Sequence, residues 1–126
     1  MTTAIVAFFA DSEYKTGIYY NSDGYIRHVG KIVSKFLENH PVHDSVGALI
    51  GDYIIDKETK SYELARNKSA SDIPNWLNFA YFIYYDSVAK KVERVEVKDN
   101  YGERSFIGTV AEYIKWVENL SRENDE

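Results

Sequence analysis

The chain has 126 residues, no cysteine and a formal charge of −5, with 20 acidic and 15 basic side chains. That length predicts one domain able to bury a core without staples, and the missing cysteines exclude disulfides, thiolate metal sites and a cysteine nucleophile. Residues 1–52 carry 6 acidic and 4 basic side chains and residues 53–126 carry 14 and 11, so neither half holds the basic footprint that nucleic-acid binding needs.

Thr3 to Ala10 is apolar and β-prone and predicts a buried strand. It has no basic flank and meets Asp11 and Glu13 directly, so it reads as a strand and not a signal peptide. No apolar run reaches the length of a membrane span. A reducing, cytoplasmic setting is expected. Asp11 to Thr16 reads as a loop and Gly17 to Asn21 as a second strand, making a hairpin. Asp23-Gly24 then turns the chain.

Ile26 to His40 predicts a helix, with Ile26, Val29, Ile32, Val33, Phe36 and Leu37 in one apolar stripe. Gly30 inside it costs about 1 kcal/mol against alanine, which points to close packing there. Pro41 ends the helix at Asn39-His40. Val42 to Ile50 predicts a short second helix with Val46, Leu49 and Ile50 inward, stopped by Gly51-Asp52. Tyr53 to Asp72 reads as a short strand or turn and then a long loop. Loops of that length are often functional, so Lys57 to Asp72 is a candidate contact region.

In Phe79 to Tyr85, Phe79, Tyr81, Ile83 and Tyr85 share one face and Ala80, Phe82 and Tyr84 the other. Two apolar faces mark a central strand, or one lying under a partner. Asp86 to Lys91 turns the chain into Val92 to Lys98, a strand with one wet face. Asp99 to Gly102 turns again, and Ser105 to Ile107 predicts a short edge strand. Thr109 and Glu112 make a capping box ahead of the stripe Val110, Tyr113, Ile114, Val117 and Leu120, with Trp116 beside it. The predicted fold class is α+β: a mostly antiparallel sheet of two or more hairpins with two to three helices on one face. The single domain spans 1–120, followed by a frayed, charged tail over 121–126.

Signals for catalysis are sparse. There is no nucleophile elbow and no glycine-rich phosphate loop. Ser-x-x-Lys occurs twice, at Ser12/Lys15 and Ser87/Lys90, each time in a predicted turn. His40 and His43 with Asp44 or Asp52 are the residues to consider for a metal, but Pro41 separates the histidines and no third ligand has motif spacing. They read as solvated histidines beside a helix end, and no metal or other cofactor is expected. His28 reads as a surface side chain of the first helix. Asp23 reads as a turn former and helix cap; the same geometry would let a ligand sit against the helix. Asp23 with His28 is the acid–base pair an enzyme would use, and catalysis is not expected.

The stretch Ile18-Tyr19 to Gly30 resembles a group of small phage and bacterial proteins. Their signature runs Ile-Tyr-x-His-x-Asp-Gly-Tyr-Pro, with a glycine at the fourth position after the proline and then a leucine-rich helix. Ile18, Tyr19, Asp23, Gly24, Tyr25 and Gly30 stand at matching positions. Asn21 replaces the histidine, Ile26 replaces the proline, and Ser22 stands where tryptophan is often found. Ala48-Leu49-Ile50-Gly51-Asp52 is similar to the group's Leu-Ile and Gly-Asp segment. The resemblance covers about a third of the chain. It implies a fold relationship and a phage or mobile-element origin, and no activity.

Eleven tyrosines and six phenylalanines fit either a half-buried sheet face or an interface. The expected function is a non-catalytic binding protein. It would inhibit a host protein, for example in a defence system such as CRISPR or restriction, through an acidic, tyrosine-rich surface. Candidate binding residues are Tyr19, Asn21, Asp23, Tyr25 and Arg27 around the turn, and Tyr81, Tyr84 and Tyr85 on the aromatic strand. The alternative is a small-molecule binder. Tyrosines would then stack on a nucleotide base while Arg27 and the amides after Gly24 hold phosphate. Edge strands leave a homodimer open as well.

Overall fold

The computed structural model describes residues 2–20, 24–56, 62–65 and 77–124. Six strands form one sheet in the order β3-β2-β1-β4-β5-β6. They are β1 (Ala4–Ala10), β2 (Glu13–Tyr20), β3 (Tyr62–Ala65), β4 (Phe79–Asp86), β5 (Lys91–Asp99) and β6 (Phe106–Gly108). The helices are α1 (Lys31–Asn39), preceded without a break by a π turn over Ile26–Gly30, then α2 (Val46–Ile55) and α3 (Val110–Asn124). The fold is α+β, with all pairings antiparallel except β1 against β4.

Strands β1 and β4 lie side by side in the middle of the sheet, which is why Thr3 to Ala10 reads as a buried strand and Phe79 to Tyr85 as apolar on both faces. All seven residues of β1 are buried. The helices cover one face. Val6, Phe8, Ile18, Tyr81, Ile83 and Val95 pack there against Val29, Val33, Phe36, Leu49, Tyr113 and Val117. Ile5, Ala7, Phe9, Leu77, Ala80 and Phe82 form a second apolar cluster on the other face, with Tyr14, Tyr19 and Tyr84 at its margin.

Several local expectations change. The loop expected over Asp11 to Thr16 shrinks to Asp11-Ser12, because β2 starts at Glu13. Both turn residues have positive φ, 51° and 72°, which is the backbone of a type I′ hairpin turn. The helix expected to stop at Gly51-Asp52 runs on to Ile55, capped at its start by Ser45, whose hydroxyl accepts from the Ala48 amide at 3.1 Å. Tyr53 explains the extension: it is fully buried, edge-on to Phe8 and Phe36, and its hydroxyl lies 2.8 Å from that of Tyr20. Burying such a ring contributes about 2–3 kcal/mol, more than the roughly 1 kcal/mol a mid-helix glycine costs. Helix α3 continues to Asn124, past Leu120. The stretch expected as a long loop contains β3, and the rest of Lys57 to Asp72 lies outside the described residues.

Among the described residues, no helix is long and apolar enough to cross a membrane.

Candidate functional site

The start of the first helix is held from three sides. The Gly24 amide donates to the Thr2 carbonyl at 2.9 Å, and the Gly24 carbonyl accepts from the Tyr81 hydroxyl at 3.1 Å. The φ of Gly24 is not positive. A Cβ on it would lie 2.8 Å from the Thr3 carbonyl carbon and 2.9 Å from the Thr3 oxygen, so glycine is needed for close approach to β1. Asn21 and Asp23, and with them the expected cap and the Asp23/His28 pair, lie outside the described residues. His28 is exposed, as expected.

Tyr25 and Arg27 emerge just beyond this anchor. Tyr25 is 45% exposed, and the Arg27 guanidinium sits 5.5 Å from its ring centre. Together with Ile26, Phe79 and Arg104 they line a pocket of about 210 Å³. No described acidic side chain lines it. Phe79 arrives because the Thr3 carbonyl accepts from its amide at 3.1 Å at the start of β4. Arg104 arrives from the turn after β5, where Asp99 accepts from the backbone amides of Tyr101 and Arg104 at 3.2 Å. Arg104 was missed by sequence reasoning, since it stands 77 positions from Arg27 and carries no local motif.

The three tyrosines expected as contacts on β4 separate by strand parity. Tyr81 and Tyr85 point to the helix face and are 0% and 1% exposed. Tyr81 reaches Gly24, and Tyr85 donates to the His43 carbonyl. Both are core side chains, which corrects their assignment to a contact surface. Burial drives the Tyr81 phenol well above its ordinary value, with Tyr113 and Asp99 adding to it.

Tyr84 points to the other face and is half-buried. It belongs to a row across four strands, Tyr14 opposite Phe9, Phe9 beside Tyr84, and Tyr84 opposite Arg94. Phe9 meets Tyr14 edge-on at 5.5 Å and stacks on Tyr84 at 4.8 Å. The Arg94 guanidinium lies 4.0 Å from the Tyr84 ring centre, and the Tyr84 hydroxyl donates to Glu96 at 3.2 Å. Burial raises the Tyr84 phenol, with Glu96 adding to the rise and Arg94 opposing it. Tyr19 stands on the same face, two rungs along β2 from Gly17, whose missing side chain leaves room for Ile5 and the Tyr14 hydroxyl. Burial raises the phenols of Tyr14 and Tyr19 as well.

Of the two histidines expected to be solvated, His40 is partly exposed and His43 differs. His43 is 3% exposed, not solvated. Its Nε2 lies 2.8 Å from the His40 carbonyl, and its Nδ1 lies 3.3 Å from a carboxylate oxygen of Asp52. Its amide donates to the Lys90 carbonyl at 3.0 Å, and the rings of His40 and His43 both stack along Phe36. The pair therefore ties the α1–α2 connection to the β4–β5 turn. Among the described residues, no three histidine or carboxylate groups converge to hold a metal.

A wider groove of about 540 Å³ lies between the end of α1, the start of β5 and the start of α3. Leu37, Val92, Val110 and Ile114 line it, with Glu38, Lys91 and Glu93 also on its walls. No protein-family model, curated protein or solved structure matches this chain.

Proposed function

We propose that the chain is a non-catalytic binding protein that holds a partner protein through the sheet face opposite the helices. The observation that supports this reading best is the row Tyr14–Phe9–Tyr84–Arg94. Phe9 is 5% exposed and forms the floor of this row, so the half-buried Tyr14, Tyr84 and Arg94 are the side chains it offers to a partner. Tyrosine and arginine are the residue types enriched at interface centres. Glu96 and Lys98, the latter 5.3 Å from the Phe82 ring, give the margin both signs of charge. The choice of a host protein as partner, in a defence system such as CRISPR or restriction, rests on the phage or mobile-element resemblance alone.

The test is capture from host lysate by tagged protein, read by mass spectrometry, with wild type beside the variants Tyr84→Ala and Arg94→Glu. One protein at near-stoichiometric yield is expected with wild type. At least tenfold less is expected with each variant that keeps a cooperative unfolding transition. Equal capture by the folded variants overturns the assignment of this face, and capture of nothing by wild type overturns the partner reading.

A further inference from the structure

We propose that two copies of this chain join edge to edge through the first half of β5, about a two-fold axis that sets Val92 of one copy opposite Val92 of the other. The contact uses the rim of the sheet, whereas the protein-partner reading uses the face that carries Tyr14, Phe9 and Tyr84. Either can fail without the other.

Three observations converge. The first is an open edge. Strand β5 runs over Lys91–Asp99, but β6 pairs only with Val95, Glu96 and Val97. Lys91, Val92 and Arg94 pair with β4 on one side. Among the described residues, the stretch makes no backbone hydrogen bond on the other side. A strand directs N–H and C=O groups to both sides, so this stretch presents unpaired donors and acceptors outward.

The second is charge. Residues opposite one another on neighbouring strands share a face. Val92 is buried on the helix side, while Lys91 and Glu93 beside it are exposed. A two-fold pairing that respects these faces can centre on Lys91, Val92 or Glu93. Centring on Lys91 or on Glu93 sets like charges opposite each other. Centring on Val92 sets Lys91 opposite Glu93, and the symmetry makes that favourable pair twice. Among the described residues, neither side chain forms an ion pair or a hydrogen bond that competes. The ladder stops there at both ends. Lys90 has a φ of 57° and leaves the strand, so it forms no rung with Arg94, and Val95 already pairs with Gly108.

The third is the apolar flank. On the helix side of Val92 lies the groove of about 540 Å³, walled by Leu37, Val110 and Ile114. Pro41 and Ala111 are exposed on its rim. An axis running through the sheet keeps both helix layers on the same side, so the two grooves face each other across it. Each copy then covers the other's apolar wall, which adds hydrophobic burial to the few hydrogen bonds of a short edge.

The experiment is sedimentation velocity of the full chain from about 1 µM to about 1 mM. Wild type, Lys91→Glu, Glu93→Lys and an equimolar mixture of the two variants are compared. Wild type is expected to dimerise as concentration rises, and less readily in high salt. Each variant alone sets like charges opposite each other twice, and should weaken the dimer about tenfold or more. In the mixture, a Lys91→Glu chain meets a Glu93→Lys chain with opposite charges at both rungs. The dimer should then return to within about threefold of wild type. A variant that merely misfolds gives no such rescue. Glu93 stands at a bulge and has no residue opposite it on β4, whereas Lys91 lies opposite Asp86. If that neighbour lowers the Tm of Lys91→Glu, Glu93→Lys and Ala111→Glu carry the test. Ala111→Glu charges the groove rim, suits the first turn of α3, and should likewise weaken the dimer about tenfold. A chain that stays monomeric throughout overturns the proposal, and shows that Lys91 and the bulge keep this edge unpaired. A dimer that no folded variant weakens, or two folded variants that mixing does not rescue, overturns it as well and assigns the contact to another surface.

Discussion

The hydroxyl of Tyr113 donates to the carbonyl of Gly30 at 2.8 Å, joining positions 83 apart in the chain. Gly30 is where the π turn passes into α1, and Tyr113 is fully buried in α3. A side chain at position 30 would meet Ile26 Cγ2 at 3.0 Å and come within 3.6 Å of the Tyr113 hydroxyl. The glycine that looks unfavourable within a helical pattern is thus the surface on which α3 docks. Tyr113→Phe removes only the hydrogen bond and should cost about 1 kcal/mol. Gly30→Val should cost more, about 1–3 kcal/mol, by overpacking the same junction. Urea unfolding with linear extrapolation checks both. A Gly30→Val protein as stable as wild type would show that the junction is loosely packed.

Gly24 makes the stronger demand, because the atoms a Cβ would meet are backbone atoms of Thr3 and the rotamer-less Cβ of Ala4. Thr3 C, Thr3 O and Ala4 Cβ all lie within 2.8–2.9 Å of the ideal position. A rotamer change cannot relieve such a contact. The alternative is for the helix entry to move away from β1, breaking the Gly24–Thr2 and Tyr81–Gly24 hydrogen bonds. Gly24→Ala should therefore destabilise by about 1–3 kcal/mol and lower Tm by several degrees. A Tm within a degree of wild type would contradict this account of the position.

Much of the architecture was legible from pattern. The apolar run of Thr3 to Ala10 marked a buried strand, the two-sided run of Phe79 to Tyr85 marked a central strand or one under a partner, and the stripe from Ile26 to Leu37 was assigned to the buried face of its helix. The parallel pairing of β1 with β4 was not legible, since an apolar run does not name its partner or its direction. Ser12, with positive φ, was hidden because a serine in a type I′ turn gives no signal comparable to asparagine-glycine. Helix α2 outran its predicted stop because tertiary burial of Tyr53 outweighs the local cost of Gly51. Of the candidate site, Tyr25 and Arg27 were visible as neighbours of a tight backbone feature. Arg104 and Phe79 reach them only through sheet register. Tyr81 and Tyr85 were grouped with Tyr84 for their chemistry, although strand alternation had already placed them on the opposite face.

Buried phenols make the protein sensitive to alkali. Tyr53, Tyr81 and Tyr113 are each held well above the ordinary tyrosine value, chiefly by burial. Each folded value is raised above the unfolded value of about 10, so each contributes stability that is complete below pH ~10 and is lost as pH rises towards the folded values. Tyrosinate absorbance and near-ultraviolet circular dichroism, followed together, check this. At least three of the eleven phenols should ionise only as the tertiary signal disappears. Ionisation of all eleven with that signal intact would show that these rings are accessible in the folded state.

The start of α3 links an exposed carboxylate to acid stability. The Thr109 amide donates to Glu112 Oε1 at 2.9 Å, and the Glu112 amide donates to the Thr109 hydroxyl at 3.2 Å, a complete capping box. Thr109→Ala removes one of these bonds and should cost about 1 kcal/mol at neutral pH. The Glu112 carboxyl is held below its ordinary value, first by the backbone hydrogen bond from Thr109 and then by the Thr109 side chain. Glu112→Gln can keep the hydrogen-bond geometry while removing the charge, so comparing it with wild type isolates the ionised form. A folded value below the unfolded one means that the charge contributes stability above the ordinary glutamate range, and that this is lost as pH falls through the lowered value. Wild type should therefore be the more stable protein at pH 7, and the gap should close in acid. Because the group faces solvent, added salt should narrow the gap at neutral pH as well. A gap of equal size at pH 7 and in acid would show that the substituted amide fails to reproduce the hydrogen bond, and that geometry rather than charge accounts for the stabilisation.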